Sequence, residues 1–273
     1  MGIIDSHSHL GMGWSELCTA KEYKELMEKL GITYALIMPQ PIFDERALKS
    51  VDIFHEKNKE VYEEIEKELN GKVSFVPMIS PVNMSKKEIT EYMELYKPIA
   101  FKVHYRSDFS YPEMIRKDII NVLKEYDIPL IVHTDFSKEN DIKSQLKNLN
   151  TSYKWFEFFR NNELKGYLTH GARLNKQVIE EINKEKNVVI GIGPDLFLSE
   201  HNSQLEQQVD YLKYLSEYVD PELLLFDIDY NWNRNKDNSM DFLSVQRVKD
   251  VWKEDSNKVL EKNSKRFFKI RRG

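Results

Sequence analysis

Two histidines separated by one residue, near the start of the chain, are the first residues whose type and spacing could support chemistry. They lie in Ile3-Ile4-Asp5-Ser6-His7-Ser8-His9-Leu10, where two apolar residues open a predicted strand. Because strand side chains alternate between faces, Asp5, His7 and His9 are expected to point the same way. Two neutral imidazoles at this spacing can hold one divalent metal at about 2.0–2.1 Å per nitrogen. Alone, the pair is equally compatible with two unrelated histidines.

Further polar residues stand at or near the ends of later apolar runs. Each of them alone is more typical of a hydrogen-bonded structural residue than of a ligand. Their repeated occurrence at matching positions favours a shared site. These residues are Lys102, His133, His170 and Asp229.

The elements that must position these residues alternate regularly along the chain. Apolar runs predict strands at 3–10, 32–38, 73–79, 99–104, 130–133, 166–170, 188–193 and 223–229. Amphipathic segments predict helices at 18–30, 44–69, 85–96, 112–126, 138–162, 175–185 and 203–218. Thr19 is the expected N-cap of the first helix and Gly31 its stop. A short helix near 242–252 and a basic C-terminal helix complete the prediction.

Strict alternation of strand and helix predicts a parallel sheet, and eight rounds predict that the sheet closes. The fold class is therefore α/β, a (β/α)8 TIM barrel, and 273 residues is close to the roughly 250 typical of such barrels. We expect a single domain over 1–273 with a C-terminal helical extension at about 241–273. In a barrel of this kind the carboxyl ends of the strands meet at one mouth, so distant residues converge there.

Composition excludes several classes of protein. A net charge of −5 with interspersed signs argues against nucleic-acid binding. No apolar run approaches the roughly 20 residues that span a bilayer, and the first residues lack the pattern of a secretion signal. Cys18 is the one cysteine, which excludes an internal disulfide and fits a reducing compartment. We expect a cytoplasmic protein with a small-molecule substrate, and a homo-oligomer is compatible with the sequence.

At this point the sequence resembles the amidohydrolase superfamily, and within it the amidohydrolase-related (amidohydrolase 2) branch of metal-dependent TIM-barrel enzymes. The last matching segment looks like that branch's LLFGSDYP ending, which assigns the family's aspartate to Asp229. Asp227 replaces the usual glycine of that ending and Asn231 the usual proline. The matching segments are Ile4–His9, Phe101–His104, Ile131–His133, Leu168–Gly171 and Leu225–Tyr230.

The resemblance implies a divalent metal, with zinc the first choice, and a metal-activated water. It implies His7, His9, His133 and Asp229 as metal ligands, with His170 a second ligand or a catalytic residue. Asp229 would accept a proton and pass it to the leaving group. His170 would orient or polarise the substrate oxygen as charge develops on it.

Lys102 admits three interpretations. It could be carboxylated and bridge two metals, as in binuclear relatives, because a free lysine with a pKa near 10.4 is a poor ligand. It could donate to a substrate carboxylate. It could also be a buried cation paired with an acid. The surrounding motifs are more like those of the mononuclear branch, so we expect one metal.

Weaker candidates for substrate binding surround these positions. His104 follows Lys102 on the same expected face, and Arg106 and Arg173 could grip an anionic substrate bidentately. Trp232, with Trp14, lies in a loop on the expected active face.

The leading interpretation is a hydrolase of a small-molecule C–N or C–O bond, such as an amide, cyclic amide or lactone. A metal-dependent, non-oxidative decarboxylase is the main alternative. TatD-like nucleases share the opening histidine pair, but a glutamate is expected where Lys102 stands. The polymerase-and-histidinol-phosphatase family also opens with such a pair but offers no match around Asp229. A non-catalytic ligand-binding barrel is the remaining alternative.

Overall fold

The computed structural model describes residues 2–13, 16–42, 47, 49–69, 71–134, 152–193, 211–231 and 239–271. These residues form two sheets. The first has the order β2-β1-β3-β4, with β1 at Ile3–Met12, β2 at Leu17–Cys18, β3 at Ile32–Pro39 and β4 at Val73–Phe75. The second runs β5-β6-β7-β8-β9, at Phe101–Val103, Leu130–Val132, Gly166–Leu168, Val188–Ile192 and Leu224–Phe226.

The two sheets meet at both edges through a few backbone hydrogen bonds instead of regular ladders. Beside β4, Met78 forms a parallel bridge with Lys102, and the Lys102 amide donates to the Pro77 carbonyl at 2.9 Å. Beside β9, the Asp229 amide donates to the His7 carbonyl at 2.9 Å. Apart from the short antiparallel β2, the ladders within the sheets are parallel. The arrangement is the predicted (β/α)8 barrel.

The barrel interior and the layer outside it are separate cores. Inward-facing strand residues such as Ile4, Leu36, Ile131 and Leu225 form one buried cluster, which the C-terminal Phe268 joins. Outward-facing residues pack with the helices in a second and larger cluster. This division follows from strand alternation, because each buried strand presents apolar side chains to both sides.

Helices flank the strands, and most occupy the predicted segments. They span Ala20–Leu30, Asp52–Glu68, Lys86–Tyr96, Lys117–Glu125, Ser152–Asn161, Lys176–Glu181, Tyr211–Tyr218 and Ser239–Trp252. A short helix at Tyr105–Asp108 follows β5, and the chain ends with a π-helical turn at Lys258–Lys262 and a helix at Asn263–Phe267. Within the described residues, no helix is both long and apolar enough to cross a membrane.

The prediction places several helix boundaries wrongly. The first helix begins at Ala20 and not at Cys18, because Cys18 pairs with Gly11 in the β1–β2 hairpin. The expected Thr19 cap is present and forms a capping box with Glu22. The second helix begins at Asp52 instead of residue 44. The predicted helix at 112–126 is divided into a 3-10 turn at Pro112–Met114 and a helix from Lys117.

Candidate metal centre

His7 and His9, within β1, converge with Asp229, which follows the carboxyl end of β9. One ligand atom from each lies within 4.8 Å of the other two. His7 Nε2 is 3.0 Å from His9 Nε2, and Asp229 Oδ1 is 3.5 Å from His7 Nδ1 and 3.8 Å from His9 Nε2. Among the residues that the structure describes, this is the one group of three or more His, Cys, Asp or Glu donors this close together.

His9 is held in the tautomer that a metal ligand requires. Its Nδ1 lies 2.7 Å from the backbone carbonyl of Pro39, at the end of β3. A carbonyl oxygen only accepts, so Nδ1 carries the proton and Nε2 presents its lone pair to the cluster. A hydrogen bond from the far ring nitrogen to a carbonyl is the usual second-sphere support of a metal-bound histidine.

The donor set fits a divalent metal. Two nitrogens bound to one tetrahedral zinc lie roughly 3.3 Å apart, close to the 3.0 Å between the two Nε2 atoms. His7 Nδ1 is buried and has no hydrogen-bond partner among the described residues. Two imidazoles and a carboxylate also leave a coordination position open, as catalytic zinc sites do.

Electrostatics keep both imidazoles neutral. Burial lowers the pKa of His9 to about 3, and the positive charge of Lys102 acts in the same direction. Burial also lowers the pKa of His7 well below its usual range, again with a contribution from Lys102. A neutral imidazole is the form that binds a metal.

Lys102 lies inside the barrel beside this cluster. Its side chain is fully buried, and its Nζ is 2.9 Å from His7 Nε2. Burial lowers the pKa of Lys102 to about 7, while Asp229 and Asp227 raise it. Within the described part of the chain, no carboxylate oxygen lies within 4.0 Å of its Nζ, so both acids act at longer range.

His170 and His133 extend the cluster toward β6 and β7. His170 Nδ1 is 3.8 Å from Asp229 Oδ2, and its Nε2 is 2.9 Å from His133 Nδ1. His133 in turn stacks on His104, with ring centroids 4.2 Å apart. The expected residues therefore lie together, but His133 contacts His170 and His104 and lies outside the His7–His9–Asp229 group.

The backbone after β7 differs from the prediction, which extended that strand to His170. The strand ends at Leu168, and residues 170–174 take φ values of 56, 62, 48, 51 and 50°. This left-handed turn directs His170 toward Asp229 and places Arg173 where its Nε donates to the Thr134 carbonyl at 3.0 Å. Left-handed backbone costs roughly 1–2 kcal/mol per non-glycine residue, and only one residue of the turn is a glycine.

The structure corrects the expectation that Asp5 shares a face with His7 and His9. The pairing of β1 with β3 is irregular between Asp5 and Ser8, so strict alternation fails there. The carboxylate of Asp5 accepts hydrogen bonds from Ser8 and from Tyr23 of the first helix. Among the weaker candidates, Trp232, Trp14 and the side chain of Arg106 lie outside the described residues.

Sequence reasoning missed a second buried pair deeper in the barrel. The Tyr167 hydroxyl donates to Asp227 Oδ2 at 2.5 Å, and both residues are buried. Asp227 thus pairs with Tyr167, whereas Asp229 faces the histidines. The signal in the sequence was Asp227 itself, an acid within an apolar run where the related pattern has glycine.

Comparison with known proteins identifies the class of fold. No protein-family model matches the sequence, and no curated protein matches it significantly. Among solved structures, an amidohydrolase II matches with 14% identity and a TM-score of 0.68, covering 98% of this chain and 100% of that one. The chain is thus a (β/α)8 barrel with the fold of amidohydrolase-superfamily structures.

Two further structures show the range of enzymes that share this fold. A probable 2-pyrone-4,6-dicarboxylic acid hydrolase from Acinetobacter baumannii, with citric acid bound, matches at 10% identity and TM-score 0.66, covering 99% of this chain and 100% of that one. IDCase from Metarhizium anisopliae, a decarboxylase, matches at 11% identity and TM-score 0.62, covering 98% and 97%.

Proposed function

We propose that this protein is a metal-dependent hydrolase of a small-molecule C–N or C–O bond, such as an amide, cyclic amide or lactone. The observation that carries the proposal is the His7–His9–Asp229 group, with His9 fixed in the ligating tautomer by Pro39. His170 and Lys102 supply hydrogen-bonding groups beside it. The fold shared with amidohydrolase II and with a 2-pyrone-4,6-dicarboxylic acid hydrolase supports the same reaction class.

The chemistry divides between the bound metal and this chain's side chains. We propose zinc, held by His7, His9 and Asp229 with His170 or His133 as a further ligand. When bound, the metal supplies a Lewis acid that polarises the substrate and lowers the pKa of water. The Asp229 carboxylate can accept a proton and return it to the leaving group. His170 and Lys102 can donate hydrogen bonds to a substrate oxygen or carboxylate on which charge develops.

The cellular compartment is inferred from the cysteine content. Cys18, the one cysteine, is buried, which fits a reducing compartment, and we propose the cytoplasm.

Arg173, whose guanidinium donates to the Thr134 carbonyl near His133, is the proposed contact for an anionic part of the substrate.

A decarboxylase is the second candidate, because IDCase shares the fold and the same site would hold a metal beside a buried cation. The reaction products distinguish the two functions. A hydrolase releases an acid together with an amine, alcohol or ring-opened product, whereas a decarboxylase releases carbon dioxide from a carboxylated substrate.

The test is metal analysis of the purified protein and of the His7→Ala/His9→Ala double variant. We expect about one equivalent of zinc in the wild type, near zero in the double variant, and an unchanged circular dichroism spectrum. His55→Ala is the matched control, because His55 lies on an outer helix with a side chain 37% exposed. Metal content that survives loss of both histidines contradicts the assignment. Assays on lactones, cyclic amides and carboxylated aromatics with the zinc-loaded protein then distinguish the two functions.

A further inference from the structure

The backbone of Asp229, like that of His170, is strained. Its φ is +49°, in the left-handed region that non-glycine residues rarely adopt. A residue keeps such a conformation only where its surroundings hold it there. The residues that hold Asp229 therefore determine where its carboxylate lies.

Consecutive amides around Asp229 are held by β1. The Ile228 amide donates to Asp5 Oδ1 at 2.9 Å, and the Asp229 amide donates to the His7 carbonyl at 2.9 Å. The Tyr230 amide donates to Ser8 Oγ at 3.0 Å. In the opposite direction, the His9 amide donates to the Tyr230 carbonyl at 2.7 Å.

The two side chains in this set are themselves fixed. Ser8 Oγ donates to Asp5 Oδ2 at 2.5 Å while it accepts from Tyr230, so its hydroxyl bridges the carboxylate and the loop. Asp5 also accepts from the Tyr23 hydroxyl and from the His7 amide at 3.2 Å. Asp5, Ser8 and Tyr23 are fully buried, so water does not substitute for these bonds.

We propose that Asp5, Ser8 and Tyr23 form a clamp that positions the Asp229 carboxylate against His7 and His9. They are positioning residues and do not contact the metal or the substrate. The inference rests on the proposed metal centre. It gives Asp5 and Ser8, which lie on either side of His7 in the sequence, a role in the same centre.

The test is Ser8→Ala with Ser6→Ala as its matched control. Ser6 lies on the same strand and is equally buried, but its hydroxyl bonds Ser264 at 2.7 Å. Cobalt(II) is the probe, because its visible spectrum reports the ligands around the ion. We expect Ser8→Ala to bind cobalt about 10–100-fold more weakly, with an altered spectrum. Ser6→Ala should retain the wild-type affinity and spectrum.

Hydrogen exchange in the metal-free protein gives a second, independent readout. We expect amides 228–230 to exchange at least about tenfold faster in Ser8→Ala, with the exchange of the strands unchanged. The Tyr230 amide loses its acceptor, and Asp5, which accepts from the Ile228 amide, loses the Ser8 hydroxyl that fixes its carboxylate. Tyr23→Phe should also speed exchange at amides 228–230, by a smaller factor. It replaces Ser8→Ala in the test if that variant does not fold. Tyr34→Phe is its control, since the Tyr34 hydroxyl bonds Ser74 at 2.5 Å on another strand.

The outcomes separate the clamp from the proposed function. Wild-type exchange at 228–230 in both Ser8→Ala and Tyr23→Phe overturns the clamp, whatever the metal result. Faster exchange spread over the whole chain also overturns it, because the residues would then have only a general structural role. A wild-type protein that binds no cobalt defeats the metal centre, while exchange at 228–230 still decides whether the clamp holds the loop.

Discussion

At the scale of single residues, the centre combines neutral imidazoles with a buried amine. Burial lowers the pKa of Lys102 to about 7, which favours the neutral amine more than in a solvent-exposed lysine. A neutral amine is the form that can be carboxylated, whereas an ammonium is the form that anchors a substrate carboxylate. Its Nζ at 2.9 Å from His7 Nε2 places it beside the proposed ligands in either case.

The role of Lys102 is tested by the Lys102→Met variant. We expect zinc to stay at about one equivalent and KM to rise if, as we propose, the lysine binds the substrate through its charge and supplies no ligand atom. Metal analysis, steady-state kinetics and carbon-13 NMR after labelled bicarbonate check this. Lys265→Met, which removes a surface ion pair to Glu261, is the control. Two metal equivalents and a carbamate signal in the wild type, with one equivalent and the carbamate signal lost in Lys102→Met, would show a carboxylated bridging lysine.

Among the strands, β8 packs closely against β7 and the end of β9, and this packing positions the Tyr167–Asp227 pair inside the barrel. Gly191 lies on β8, and a Cβ built there would overlap both the Tyr167 hydroxyl and the Asp227 carboxylate. The glycine thus leaves room for a hydrogen-bonded pair that joins β7 to the end of β9. Any side chain at 191 must displace that pair.

Gly191→Ala should therefore lower the free energy of unfolding by about 1–3 kcal/mol, the usual cost of overpacking a core. Urea titration followed by circular dichroism measures it. Gly31→Ala is a useful comparison, because Gly31 has a φ of +70° but no atom within 4 Å of a built Cβ. Its cost, roughly 1–2 kcal/mol, comes from backbone conformation alone. A Gly191→Ala protein as stable as wild type would show that the packing around Tyr167 is loose.

At the scale of the whole molecule, barrel closure depends on a helix as well as on strands. Beside the contact between β4 and β5, the side-chain amide of Asn58, on the second helix, takes the place of a neighbouring strand in bonding the backbone of Met78. Its amide nitrogen donates to the Met78 carbonyl and its amide oxygen accepts from the Met78 amide, both at 2.8 Å. The same nitrogen also lies 3.0 Å from the Tyr92 hydroxyl. Met78 bridges Lys102, so this contact also supports the strand that carries the lysine.

Asn58→Ala should destabilise the protein by about 3 kcal/mol, because it leaves two buried backbone groups of Met78 without partners. Tyr92→Phe removes only the bond to Asn58 Nδ2 and to His55, and a loss of about 1 kcal/mol is expected. Thermal unfolding of the three proteins gives the comparison. Equal losses of stability in Asn58→Ala and Tyr92→Phe would contradict a special role of Asn58 beside the contact between β4 and β5.

The barrel and the residues that could form its centre are predictable from the sequence alone. Apolar strands alternating with amphipathic helices have few compact solutions, and the carboxyl ends of parallel strands meet at one mouth. His7, His9, Lys102, His170 and Asp229 therefore had to approach one another once the fold was known. Local signals also sufficed for the Thr19 cap and the Gly31 stop, since both depend on neighbours along the chain.

How these residues face one another depends on long-range contacts that local sequence patterns do not encode. Strand periodicity placed Asp5 with His7 and His9, but the irregular β1–β3 pairing directs it to Tyr23 and the 228–230 backbone. The left-handed backbone at Asp229 and His170 depends on contacts between residues more than 200 and 30 positions apart in the chain, respectively. No local pattern encodes such backbone, because it is intrinsically unfavourable and exists only where distant groups hold it.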